Sequence, residues 1–147
     1  MSIFFYVYFA EMELKCQVQQ YEWGKLGRKS LAAEFAAYGR PDDFCVDGTA
    51  PYAELWMGTH PNGPSMLKGI GSPSLAEYID KNPKMLGEES RQKFGDQLPF
   101  LFKVLSVNKA LSIQVHKYYV NIRRFFTAYT VVDAVLGIGV QLILHNM

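Results

Sequence analysis

Between Leu111 and His116 the chain alternates strictly, with Leu111, Ile113 and Val115 apolar and Ser112, Gln114 and His116 polar. Successive side chains of a strand leave opposite faces, so this pattern predicts a strand with one face on a core. Its other face carries a hydroxyl, an amide and an imidazole. Just upstream, PFLFKVLSV at 99–107 is a strongly β-prone run. Asn108 and Lys109 between the two runs predict a two-residue hairpin, with Val107 facing Ala110 and Lys103 opposite Gln114. Lys103 then shares a face with Ser112, Gln114 and His116.

The rest of the chain is punctuated with equal regularity. CQVQQY at 16–21 alternates weakly and meets Trp23-Gly24, which predicts a short strand and a turn. Ser30 is placed to cap a helix through Ala33, Phe35 and Ala36 that stops at Gly39, with Pro41 beyond it. Residues 40–50 read as loop. APYAELWMG at 50–58 is apolar and aromatic enough for a buried strand, and GTHPNGPS at 58–65 is a turn-rich loop. A second helix starts at Ser74, where Glu77 completes a capping box before Tyr78 and Ile79, and a third, short one runs from about Gly87 to Phe94.

Composition narrows the classes of function. The chain has 147 residues, and its half-apolar composition is enough for one core. A formal charge of +1 without a basic run gives no electrostatic reason to expect nucleic acid, although an anionic small molecule needs only one or two local cations. Cys16 and Cys45 lack metal-site spacing and are too few for a disulfide framework, which fits a reducing compartment. The leading MSIFFYVYFA has no basic start and runs directly into Glu11 and Glu13, so it does not read as a signal peptide. Residues 125–144 are long and apolar enough to span a bilayer, but Asp133 near the middle costs roughly 2.5–3.5 kcal/mol there and Gln141 adds to it. Membrane insertion is therefore not expected.

Side chains at i and i+2 of a strand can converge on one ion, and an imidazole with an amide carbonyl are both donors to zinc. Two ligands do not make a site, and on pattern alone a partly exposed strand face accounts for Gln114 and His116 more readily than a metal. His60, in its Gly-Thr-His-Pro loop, reads as a residue that hydrogen-bonds its own turn. His145 lies near the end of the sequence and reads as unconstrained. Gly137-Ile138-Gly139 lacks the context of a nucleotide-binding loop.

Three stretches carry a resemblance to a known family. QYEWGKLG at 20–27, PYAELWMGTHPNGPS at 51–65 and LPFLFKVLSVNKALSIQVH at 98–116 resemble, in order, the N-terminal part of type I phosphomannose isomerases. The resemblance runs from about Val18 to His116. It implies a zinc-dependent aldose–ketose isomerase of mannose 6-phosphate and fructose 6-phosphate, cytoplasmic and monomeric, whose product feeds GDP-mannose and glycan synthesis. The implied fold is mainly β, a cupin-like barrel with short helices, present here only in part. Carried over, the first two zinc ligands fall on Gln114 and His116. Trp23 matches a residue lining the sugar pocket, and Lys103 and Ser112 match positions near the phosphosugar, where a cation with a hydroxyl suits a phosphate. Each of these three also has a plainer account: Trp23 as a packing aromatic, Lys103 as a snorkelling lysine, Ser112 as a cross-strand hydrogen bonder.

After His116 the likeness stops. The family's next proline, its remaining glutamate and histidine ligands and its catalytic arginine are not identifiable, and Lys117-Tyr118-Tyr119 opens a different tail. A splice form, a frameshift or an error in the gene model would each give this pattern. The expected organisation is an N-terminal extension, 1–15, a partial isomerase domain, 16–116, and a divergent apolar tail, 117–147, without an evident core to join. No catalytic residue is identifiable, so the chain alone is expected to be inactive. The alternative is a non-catalytic short form acting through protein or membrane contacts.

Overall fold

The computed structural model describes residues 12–69 and 71–109, and the backbone of two further strands, 128–133 and 138–144. Short strands at Leu14–Lys15 (β1), Gln17–Gln19 (β2) and Lys25–Leu26 (β3) lead to a helix, Leu31–Gly39 (α1). Pro51–Tyr52 (β4), Glu54–Met57 (β5) and Met66–Leu67 (β6) precede two short helices, Leu75–Lys81 (α2) and Glu88–Phe94 (α3). The strand Phe100–Ser106 (β7) follows, and Ala128–Asp133 (β8) and Ile138–Leu144 (β9) lie in the tail.

The main sheet has the order β2-β5-β7-β9-β8, antiparallel throughout, while β1 pairs with β6 and β3 with β4. The class is mainly β with few helices, as expected. The cupin-like barrel is not seen, because among the described residues no sheet closes on itself.

Alternation along β5 and β7 divides the sheet into two faces. Leu55 and Val104 are direct partners on one of them, and Ala32 and Ala36 of α1 pack there, with Val18, Met57, Phe102 and Phe44 around the rim. Alanines at these helix positions bring the α1 backbone close to the strands, so one turn and a half of helix seals the core. Ser30 caps α1 as expected: its Oγ accepts from the Ala33 N–H at 3.3 Å and donates to the Tyr52 carbonyl at 2.8 Å. Ser106, at the end of β7, accepts the Leu31 N–H at 3.2 Å. Both serines are fully buried, so helix, β4 and β7 are joined by hydroxyls that water cannot reach. The capping box of Ser74 and Glu77 on α2 is also formed.

β7 differs from expectation on its far edge. Its neighbours are β5 on one side and β9 on the other, so Lys103 stands opposite Gln141 and not Gln114. Residues 110–127, which include the expected partner strand, lie outside the described residues. The tail thus supplies a seven-residue partner to β7, with Val140 beside Val104 on the register. Its β-branched and apolar residues suit that edge. Among the described residues no helix is long and apolar enough to cross a membrane, and much of 125–144 is strand.

Ser30→Ala removes both hydrogen bonds and leaves the Ala33 N–H and the Tyr52 carbonyl to find other partners. Urea denaturation is expected to show a loss of about 1–3 kcal/mol.

Candidate functional site

The face of the sheet opposite α1 carries a polar and aromatic cluster beside the buried Leu101 and Leu105. Glu54 and Trp56, two residues apart on β5, leave it together, and Lys103 on β7 is the direct partner of Trp56. The Lys103 ammonium lies 3.0 Å from Glu54 Oε2 and 4.7 Å from the Trp56 ring centroid. The indole N–H of Trp56 donates to the same carboxylate oxygen. Only 12% of the lysine side chain and 11% of the glutamate side chain are exposed. At that burial each charge depends on the other: removal of either partner alone leaves an uncompensated ion, a change that costs about 3–5 kcal/mol in such pairs.

The loop 58–65 holds the other side of Trp56. The His60 ring meets it edge-on with centroids 4.9 Å apart, and His60 Nδ1 accepts the Asn62 N–H at 3.2 Å. His60 therefore braces its own turn, as expected, and braces the indole as well. Ser65, fully buried, closes the loop: its Oγ accepts the Gly58 N–H at 3.1 Å, and its N–H donates to the Gly58 carbonyl at 2.9 Å. Gly63 lies close to the indole at the tip: a Cβ there would come 3.1 Å from the Trp56 ring and would displace the Gln19 amide from 2.7 Å.

Trp23 sits on the turn between β2 and β3, stacked on Tyr21 with centroids 5.9 Å apart and planes 25° from parallel. A Cβ at Gly24 would fall 2.5 Å from the Tyr52 carbonyl carbon, so only glycine lets this turn lie on the β4–β5 junction. The Trp23 carbonyl then accepts the Asn108 N–H at 2.9 Å, which ties the turn to the end of β7. Burial raises the Tyr21 phenol pKa, and the negative charge of Glu54 adds to the rise. The aromatic pair and the ion pair thus sense each other electrostatically.

Of the residues singled out in the sequence, Lys103 and Trp23 are placed, while Ser112, Gln114 and His116 lie outside the described residues. Among the described residues no three His, Cys, Asp or Glu side chains converge, so this face alone does not hold a zinc ion. The sequence pattern marks Glu54 and Trp56 only as parts of a buried strand. A glutamate inside the apolar Ala-Glu-Leu-Trp stretch was the available signal, since a buried carboxylate calls for a counter-charge.

Residues 12–123 match the family model for the catalytic domain of type I phosphomannose isomerase. The chain belongs to this family. Over 103 residues it is 55% identical to the mannose-6-phosphate isomerase of Schizosaccharomyces pombe, covering 70% of this chain and 24% of that protein. Mannose-6-phosphate isomerase 1 of Arabidopsis thaliana is 50% identical over 106 residues, again covering 70% and 24%. The chain spans about a quarter of the length of these relatives. Among solved structures it is similar to mannose 6-phosphate isomerase from Salmonella typhimurium bound to fructose 6-phosphate and zinc, at 42% identity and a TM-score of 0.57, covering 71% of this chain and 25% of that one.

Glu54→Gln should move the Tyr21 titration, followed by the ring carbon resonances, downward in pH. It removes a negative charge that disfavours the phenolate, while the larger effect of burial stays.

Proposed function

We propose that this chain forms the N-terminal part of an isomerase that interconverts mannose 6-phosphate and fructose 6-phosphate. The observation that carries this is the family match over residues 12–123, together with the likeness to a relative bound to fructose 6-phosphate and zinc. The polar face of β5 and β7 is the substrate side in this proposal. Lys103 offers N–H donors to substrate oxygens, and the Tyr21–Trp23 stack offers an aromatic surface to sugar C–H groups. Ser112 is proposed beside the phosphosugar, and Gln114 and His116 as two of the zinc ligands. When bound, zinc would supply Lewis acidity toward the substrate oxygens. The remaining ligands and the base that moves the proton between the two carbons belong to parts of the family that this chain does not match. By the same family reasoning the enzyme acts in the cytoplasm as a monomer, upstream of GDP-mannose and glycan synthesis.

A second proposal is a non-catalytic short form. It is favoured by the pairing of β9 with β7, which gives the tail the strand edge beside Lys103. In that form the tail serves as the edge cover of the sheet, and antiparallel pairing keeps the exposed ladder of β7 from recruiting other chains.

Fructose 6-phosphate formation from mannose 6-phosphate is measured with added zinc on the purified 147-residue chain and on the same chain extended by a relative's C-terminal part, and activity in the extended chain supports the first proposal. The expected result is no turnover by this chain and activity once a relative's C-terminal part is joined after His116. In that extended chain His116→Ala should abolish both activity and zinc retention, read by metal analysis, since it removes one of few ligands. Unchanged zinc content in the variant would remove His116 from the ligand set.

A further inference from the structure

Lys103 is not a free cation. Its side chain would ordinarily carry the ammonium outward to water, because a long flexible stem lets the charge escape burial. Here the head is instead folded onto the sheet, 3.0 Å from Glu54 and 4.7 Å from the Trp56 ring centroid. Glu54 is in turn located by the Trp56 indole N–H, and Trp56 by His60 and the tight approach of Gly63. The loop 58–65 therefore fixes the indole, the indole fixes the carboxylate, and the carboxylate fixes the ammonium.

We propose that Glu54 is a positioning residue for Lys103, holding its ammonium over Trp56 and cancelling its charge, so that the lysine meets a ligand as a fixed hydrogen-bond donor within a neutral pair. This rests on the phosphosugar proposal above, and it alters the part that Lys103 plays there. An ammonium has three N–H donors. Glu54 occupies one side of the head and the indole another, so among the described residues only part of its donor capacity faces a ligand oxygen. A dianionic phosphate approaching the pair meets a cation and an anion together, so long-range attraction from Lys103 is largely cancelled. A sugar hydroxyl or carbonyl oxygen needs only the oriented donor. The geometry thus assigns Lys103 to the uncharged part of a phosphosugar and leaves the phosphate to other groups.

The test compares the wild-type 147-residue chain with Glu54→Gln, which keeps the size and the acceptor for the indole N–H but removes the charge. Modification of Lys103 by an amine-reactive reagent, read by peptide mass mapping, is expected to be several-fold faster in the variant. Inorganic phosphate should protect Lys103 in the variant and not in the wild type. Equal modification rates, or protection by phosphate in the wild type, would overturn the proposal. Stability gives an independent measure should Glu54→Gln fold poorly. The double variant Glu54→Gln/Lys103→Met removes both charges and is expected to melt at a higher temperature than Lys103→Met alone, which strands the carboxylate. A double variant no more stable than Lys103→Met would also overturn the pairing. Titration with fructose 6-phosphate of the chain extended after His116 by a relative's C-terminal part, followed by tryptophan fluorescence, bears on the phosphosugar proposal separately. Absence of binding would sink that proposal, and the modification ratio would still decide whether Glu54 fixes and neutralises Lys103.

Discussion

A carboxylate with about a tenth of its surface exposed cannot stand alone in a strand, and Glu54 is the constraint around which this face of the sheet is arranged. Charge compensation requires Lys103, which β7 presents because it pairs with β5 in the register that sets Lys103 against Trp56. Hydrogen-bond satisfaction of the shared oxygen requires the Trp56 indole to turn toward it. The indole in turn needs walls, and the loop 58–65 provides them through His60 and Gly63. Slipping β7 by one residue against β5 would send Lys103 to the α1 side and leave Glu54 unpaired, so the ion pair and the register support each other.

The opposite face follows a different rule. There the partners are small or apolar, and the buried hydroxyls of Ser30 and Ser106 bond to backbone: Ser30 donates and accepts, and Ser106 accepts the Leu31 N–H. Ser30 and Ser106 bring the start of α1 onto β4 and the end of β7, which fixes the helix against Leu55 and Val104. The two-residue period of β7 therefore gives it two differently packed faces, both largely buried. Leu101, Lys103 and Leu105 go one way, and Phe102, Val104 and Ser106 go the other. Rigidity on the helix side is what lets the other side hold a charge pair in one geometry, since a buried ion pair stabilises only when its geometry is maintained.

Membership of the type I phosphomannose isomerase family brings the parts together in the order that the family uses, over about a quarter of its length. What the described residues contribute is a wall: an aromatic stack on the Trp23 turn, a neutral ion pair on β5 and β7, and a loop that braces them. The tail is joined to this wall through the backbone ladder of β9. Its apolar character thus has a structural outlet at the edge of β7, which β9 covers.

Local rules were legible in the chain. Ser30 and Ser74 announce their helices through side-chain capping, the glycine after Trp23 marks its turn, and 99–107 could only be a strand. The family itself was legible from three motifs, because those strings carry identities that no periodicity implies. The sequence could not say which segment pairs with β7: 111–116 alternates throughout and 138–142 alternates before an apolar run, each with a glutamine at a polar position, and either satisfies the edge. Tertiary structure chose β9, and it also made the partnership of Glu54 and Lys103, separated by 49 positions in the chain. Such a pair is set by strand register and by burial, both of which arise only when distant segments meet. The sequence determined the elements and the kinship of this protein, and the packed sheet decided which charges would face one another.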